Sequence, residues 1–289
     1  GVFAYDGATI DISYSTVNVT GGGAGGIQVA GGGILNATDL DVTSASKAAI
    51  RSDRGGGTLT VNGGTYTATG ESGCPAIYST ADITATDATL TSTRSKAVII
   101  EGKNSVALKN CSAAGNDQSS TNDSIHANVL LYQSMSGDAS TGTSTFSDTG
   151  GSLACKSGSQ FFVTNTNAVI NLDGVKLENS SDDSLLIASA SRWGKDGSNG
   201  GNCTLNATGQ TLEGSIAVDS ISSLALNLAS SDYTGAINTD GAAGTVDVTL
   251  DGTSTWTLTG DSYISSFAGD AGSIVSNGHT VYVNGAALA

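Results

Sequence analysis

The chain has 289 residues, of which 40 are glycine, 26 are acidic and 11 are basic, so its formal net charge is −15. This charge repels the phosphates of nucleic acids and the anionic headgroups of lipids, which argues against binding to either. No run approaches the ~18 apolar residues of a membrane-spanning helix, so we expect no membrane insertion.

Short segments of alternating apolar and polar residues repeat along the N-terminal third. They are STVNVT (15–20), TDLDVT (38–43), GTYTAT (64–69) and ATLTST (88–93). Aligning them gives two series of equivalent residues, Val17, Leu40, Tyr66 and Leu90, and Ile27, Ile50, Ile77 and Ile99. Both series recur about every 24 residues, a period typical of repeat architectures.

The alternation, with turns rich in Gly, Asn, Asp and Ser, indicates strands, and no segment carries the apolar stripe of a helix. Three short strands in each period of about 24 residues predict an all-β fold, the right-handed single-stranded parallel β-helix. At ~4.8 Å between stacked strands, the chain would form roughly 12 coils and a rod of about 55–60 Å.

The pattern continues into the second half of the chain with interruptions. NVLLYQ (128–133), QFFVTN (160–165) and SLLIAS (184–189) extend the third-strand series. Polar insertions near 115–127 and 191–201 adjoin two of these strands, and loops on a rigid scaffold commonly carry function. We expect residues 1–289 to form a single β-helical domain, in which 244–289 are terminal coils or a cap.

Several phrases spread over most of the chain carry a family resemblance: VIIEGKNSVALKNC (98–111), YQSMSGDASTGTSTF (132–146), GSNGGNCTLNATGQTLEGSIAVDSISSLALNL (197–228), STWTLTGDSYISSF (254–267) and VSNGHTVYVNG (275–285). They resemble the β-helical region of large adhesins of gut bacteria and, more loosely, the passenger domains of autotransporters. The resemblance implies a pectin-lyase-like parallel β-helix on a secreted or cell-surface protein, and it carries over no catalytic residues. The start GVFAYDG has neither an initiator Met nor the basic region of a signal peptide, so we expect an excised or processed piece of a longer chain. We also expect this piece to be a monomer.

The four cysteines, Cys74, Cys111, Cys155 and Cys203, are widely spaced and form no CxxC pair. This spacing argues against zinc. We expect separate buried thiols in preference to disulfides, and no metal or cofactor.

Three motifs raise the possibility of an enzyme, because parallel β-helices also support polysaccharide lyases and hydrolases. They are Arg94-Ser95-Lys96, Asp182-Asp183 and Asn238-Thr239-Asp240. Polygalacturonase-like enzymes carry similar motifs in a different order, together with a His-Gly dipeptide that this chain lacks. The Asp pair lies in a turn that enters a strand, where Asp is a common turn former. We therefore predict no catalytic residue, and a polysaccharide lyase or glycoside hydrolase remains the alternative.

The most binding-like residues lie in the two insertions. Trp193, with Arg192 and Lys195 beside it, can stack on a sugar or peptide ring, or it can anchor its loop to the rod. Asp123 and His126, in the other insertion, are further ligand-binding candidates. Asp117, Asp123 and Asp138 could instead form a calcium cluster or be solvated loop carboxylates. The sequence thus predicts a non-enzymatic, adhesin-type stalk or binding module that displays loops to a glycan or a host surface component.

Overall fold

A computed structural model describes residues 1–70, 74–118, 125–241 and 244–288. This part of the chain contains strands and turns, one 3₁₀ turn at Ala271–Ser273 and no α-helix. None of its helical segments is long and apolar enough to cross a bilayer.

The first sixteen strands are β1 (Val2–Tyr5), β2 (Thr9–Ser13), β3 (Thr16–Val19), β4 (Ile27–Ala30), β5 (Gly33–Ser44), β6 (Ile50–Ser52), β7 (Gly57–Ala68), β8 (Ile77–Ser79), β9 (Asp82–Thr86), β10 (Thr89–Ser92), β11 (Val98–Glu101), β12 (Ser105–Lys109), β13 (Ser112–Gly115), β14 (Ala127–Tyr132), β15 (Thr143–Thr149) and β16 (Ser152–Cys155). The remaining strands are β17 (Ser159–Thr164), β18 (Thr166–Asp173), β19 (Lys176–Glu178), β20 (Ser184–Ala188), β21 (Gly201–Thr208), β22 (Thr211–Glu213), β23 (Ser215–Val218), β24 (Ser223–Ala229), β25 (Asp232–Gly235), β26 (Thr245–Leu250), β27 (Thr255–Leu258), β28 (Ser262–Ile264), β29 (Ser266–Ala268), β30 (Ile274–Val275), β31 (Val281–Val283) and β32 (Ala286–Ala287).

Strands of successive coils stack in parallel into three faces of a rod. The first face is a nine-stranded sheet that runs from β1 through β4, β6, β8, β11, β14, β17 and β20 to β23. Ile237, β28 and β31 add three further rungs to it, so twelve rungs lie on this face of the described chain. The predicted parallel β-helix is confirmed, and so is the prediction of about twelve coils.

The second and third faces share a 16-stranded sheet, because β5 and β7 each turn the corner and contribute to both faces. The second face continues through β12, β15, β18, β21, β24 and β26. The third face runs to β19 and resumes as a four-stranded sheet from β22 to β30. At the C-terminal end the antiparallel pair of β31 and β32 departs from the parallel stacking.

Alternation places every second side chain inside the rod. In β26, for example, Val246, Val248 and Leu250 are buried and the residues before each of them are exposed. The corner between the second and third faces uses a left-handed residue in most coils, which Gly, Asn and Asp adopt at least cost. These residues are Tyr14, Asp39, Gly63, Asp87, Asn110, Gly150, Gly174, Gly209 and Ser230.

One apolar core runs through the rod from Ala4 to Val281. Small and branched side chains fill most of it, with a few aromatic residues such as Tyr66, Phe146 and Trp256. The four cysteines are buried, as the sequence predicts, and their thiols are free.

Two residues of the predicted series were placed wrongly. Val17 pairs with Val42, and Leu40 does not take that position. The corner residues Tyr14 and Asp39 set this register, because each lies three residues before its paired Val. Ile77 pairs with Val98, whereas Ile99 pairs with Tyr78. The sequence could not resolve this second case, because Val98, Ile99 and Ile100 are all apolar and all buried.

Asp148 is an exception to the apolar interior. It pairs in register with Leu108 on one side and Leu172 on the other, both of which belong to the core. Asp148 is 1% exposed, and neither of its carboxylate oxygens has a hydrogen-bond partner in the described part of the chain. Burial raises the pKa of Asp148 to about 7, because the charged form loses its hydration inside the rod.

Candidate functional site

Two long turns flank a short one where the first face passes into the second. The turn after β14 runs from 133 to 142, and the turn after β20 runs from 189 to 200. In the coil between them, Asn165 alone joins β17 to β18. The long turns therefore form the walls of a pocket, and the short corner lies between them.

Asn165 holds the two walls together. Its backbone N–H donates to the Asn199 carbonyl at 3.0 Å, and its Nδ2 donates to the Gln133 carbonyl at 2.7 Å. The 189–200 turn approaches Asn165 through Gly194, where a Cβ would lie 2.2 Å from the Asn165 Oδ1 atom. A side chain at this position would displace the Asn165 amide, and the left-handed backbone there (φ +81°) also favours glycine.

The pocket has a volume of about 240 Å³ and is lined by neutral polar groups. These include the side chains of Gln133, Thr141, Asn165, Asn167, Ser198 and Asn202. The Oε1 atom of the buried Gln133 has no hydrogen-bond partner among the described residues. Amides and hydroxyls both donate and accept hydrogen bonds, and so do the hydroxyls of a sugar. A neutral, hydroxyl-rich ligand therefore matches this lining.

The 189–200 turn contains the predicted residues Arg192, Trp193 and Lys195. Trp193 is half-buried, and its ring packs against Tyr132 with 5.1 Å between ring centroids. The Arg192 guanidinium lies over the Trp193 ring, 4.1 Å from its centroid. Lys195 is exposed, and its carbonyl accepts the Ser198 N–H at 2.9 Å. Trp193 thus contacts the rod, and it shares its turn with the pocket residue Ser198.

An apolar row on the outside of the first face explains the position of Trp193. The row consists of outward-facing side chains in register, Tyr78, Ile99, Leu130, Phe162 and Ile187. Its centre is covered, since Leu130 is only 4% exposed and Phe162 only 1%. Ile125 and Trp193, from turns at opposite ends of the face, pack against this cluster.

The other predicted candidates do not reach the pocket. Asp123 lies outside the described residues. His126 precedes β14, whereas the pocket follows it, so the two are separated by the ~20 Å length of a six-residue strand. The His126 Nδ1 atom lies 3.5 Å from Asp117 Oδ2, and Lys96 Nζ lies 2.6 Å from the same oxygen. Lys96 and Asp117 form a buried ion pair at the start of the predicted 115–127 insertion, of which residues 119–124 lie outside the described part of the chain.

Asp138 lies apart from this ion pair, in the 133–142 turn, where it pairs with Arg54. The hydrogen bond from Arg54 holds the pKa of the Asp138 carboxyl below its usual value. Within the described ranges, no group of three or more His, Cys, Asp and Glu side chains is arranged to hold a metal ion.

Glu101 forms a buried polar cluster on the same face. Its Oε2 atom accepts from the Tyr78 hydroxyl at 2.5 Å and from the Tyr132 hydroxyl at 3.2 Å. Its Oε1 atom accepts from the hydroxyls of Ser134 and Ser136, both in the 133–142 turn. Burial, and then the neighbouring acidic groups, raise the pKa of both tyrosines well above the usual value. Both phenols therefore stay protonated at neutral pH, and the cluster fastens the turn to β11.

Two of the three enzyme-like motifs lie at opposite corners of the first face. Asp182 and Asp183 are exposed in the turn that enters β20, as predicted, and Asp182 Oδ2 accepts the Gly158 N–H at 2.9 Å. Asn238 follows the rung formed by Ile237, and its Oδ1 atom accepts the Val218 N–H at 2.7 Å. These hydrogen bonds stabilise corners of the coil.

Sequence reasoning identified one wall of the pocket and missed the other. The 191–201 insertion corresponds to the turn at 189–200, since Gly201 already belongs to β21. The 133–142 turn was not recognised as an insertion. Its signal was a 32-residue interval between the paired residues Val129 and Phe161, together with a run rich in Ser, Gly and Thr.

Comparisons of this chain with protein-family models, with curated proteins and with solved structures found no match.

Proposed function

We propose that this chain is a non-enzymatic, adhesin-type binding module, in which the pocket between the 133–142 and 189–200 turns binds a neutral glycan. One observation carries the proposal. The two long turns flank a single-residue corner, and together they enclose a pocket whose lining contains amides, hydroxyls and backbone but no ionisable side chain. Orientation by a few placed polar groups is typical of small-ligand sites.

Contacts that hold both turns against the rod support this binding role. The Trp193 contact with Tyr132 and the Glu101 cluster each fasten one of the two turns to the rod. A wall that is already ordered loses less conformational entropy when a ligand binds. Secretion or display on a cell surface is part of the proposal, and the phrases that resemble adhesin β-helices support it.

The alternative of a polysaccharide lyase or hydrolase has less support. Glycoside hydrolysis needs two carboxyl groups across one groove. The lining of the pocket includes no carboxylate. The protonated phenols of Tyr78 and Tyr132 are also unsuited to act as general bases near neutral pH.

Calorimetric titration with neutral oligosaccharides of glucose, mannose, galactose and xylose tests the proposal. Replacing the exposed pocket residue Asn167 with Ala should weaken binding about two- to tenfold, the effect of one lost hydrogen bond. Asn62→Ala is the matched control, because Asn62 is also an exposed asparagine of the second face and lies outside the lining of the pocket and of the neighbouring surface on β18 to β26. Absence of binding by the unmodified chain across the panel, or equal binding by both variants, would contradict the assignment.

A further inference from the structure

The pocket opens onto a longer groove on the second face. The groove has a volume of about 510 Å³ and shares Asn167 and Asn202 with the pocket. It extends from Thr143 on β15 to Thr245 and Asp247 on β26. The shared side chains make the pocket and the groove one continuous surface.

Two hydrogen-bonded ladders of side chains run along this part of the second face. In the first ladder, Asn202 Nδ2 donates to Asn167 Oδ1 at 3.0 Å, and the Ser223 hydroxyl donates to Asn202 Oδ1 at 2.9 Å. In the second, Asn227 donates to Asn206 and Asn206 donates to Asn171, both at 2.9 Å. These bonds fix each amide in one orientation before any ligand arrives.

Each inner amide still has hydrogen-bonding capacity. An Asn side chain has two N–H donors and an oxygen with two lone pairs. Asn202 uses one donor and one lone pair within its ladder. One N–H and one lone pair therefore remain at that rung, a combination that suits a hydroxyl group able to donate and accept at once.

A low row of side chains lies between the ladders. Val169, Thr204 and Ala225 are in register with one another and occupy the positions between the two ladders on β18, β21 and β24. Apolar patches at Val169 and Ala225 suit the C–H faces of a sugar ring, and the ladders flank them with polar groups. Successive rungs are ~4.8 Å apart, comparable with the length of one pyranose unit in an extended chain.

We propose that the pocket and this groove form one extended site for a linear neutral oligosaccharide of several units, which lies across the coils from β15 to β26. This inference rests on the proposed function of the pocket and adds the form of the ligand. A single carboxylate, Asp247, lies at the last rung of the groove, and the chain carries a net charge of −15. Both disfavour polyanionic glycans such as uronic acid polymers.

The test is a calorimetric titration with β-1,4-linked gluco-, manno- and xylo-oligosaccharides of increasing length, from the monosaccharide to the hexasaccharide. The association constant should rise at least about tenfold between the monosaccharide and the tetrasaccharide. Polygalacturonate should not bind measurably.

A groove-blocking variant separates this inference from the proposed function. Ala225→Arg should remove the gain with chain length and leave monosaccharide binding unchanged, because Ala225 lines the groove and not the pocket. Ala107→Arg adds the same side chain at a similarly half-exposed alanine of the second face, outside the groove, and should change neither quantity. Melting temperatures and circular dichroism establish that both variants fold.

The results distinguish failure of the extended site from failure of the proposed function. If the monosaccharide binds and longer chains bind no tighter, or if Ala225→Arg and Ala107→Arg behave alike, the extended site is wrong and the pocket assignment stands. If no neutral oligosaccharide of any length binds, the proposed function fails and the extended site fails with it.

Discussion

Replacing Asp148 with Asn should make the free energy of unfolding less dependent on pH. In the native state the pKa of Asp148 is raised from 3.8 to about 7 by burial. The unfolded state, where the carboxyl is hydrated, releases this proton at lower pH, so it binds fewer protons than the native state between about pH 4 and 7. The free energy of unfolding therefore falls as the pH rises through that window. The full effect is about 4 kcal/mol, since each pKa unit corresponds to about 1.4 kcal/mol.

Urea unfolding at pH 5 and pH 8 measures this effect. For the unmodified chain the contribution of Asp148 should lower the free energy of unfolding by about 2.5 kcal/mol between these two values. The Asp148→Asn variant has no titrating carboxyl at this position. Its free energy of unfolding should therefore fall less between pH 5 and pH 8 than that of the unmodified chain, by about 2.5 kcal/mol. Asp173→Asn is the control, because it removes one carboxylate from an exposed position of the neighbouring strand β18. Its free energy of unfolding should depend on pH as that of the unmodified chain does. Equal pH dependence in all three proteins would refute the argument.

Two further substitutions test the structural roles of predicted residues. Trp193→Ala should lower the free energy of unfolding by about 2 kcal/mol, because it removes the contacts of the half-buried ring with Tyr132 and the outer apolar row. The control Lys195→Ala, at an exposed position of the same turn, should change it by no more than about 0.5 kcal/mol. Equal melting behaviour of these two variants would show that the Trp193 ring does not anchor its turn. Replacing Asp182 and Asp183 together with Asn should change stability by less than about 1 kcal/mol, because Asn can also accept the Gly158 N–H and tolerate the left-handed backbone of Asp183. Release of reducing ends from polysaccharides by the parent chain, abolished by this double substitution, would instead show that the Asp pair is catalytic.

The fold was largely predictable because a β-helix repeats the same local requirements in every coil. Each strand must alternate, each corner needs a turn residue, and each coil must match its neighbours, so the period of about 24 residues and the number of coils follow from the sequence. The errors arose where alternation fails. Ile99 faces outward and is covered by other parts of the chain, so its hydrophobicity resembles that of an inward residue such as Val98.

Sequence alone determined the strand pattern, the stacking period, the burial of the cysteines and the presence of an insertion at the 189–200 turn, since these depend on residues close together in the chain. Only the tertiary structure decided what that turn faces. Its partner wall at 133–142 belongs to a coil about 60 residues earlier, and the two meet because the coil between them turns at Asn165 alone. The environments of Asp148 and Trp193 were decided in the same way. Stacking places Asp148 between Leu108 and Leu172, and it brings Tyr132 against Trp193. Contacts between coils depend on how many residues each turn holds, and local patterns of hydrophobicity do not record that number.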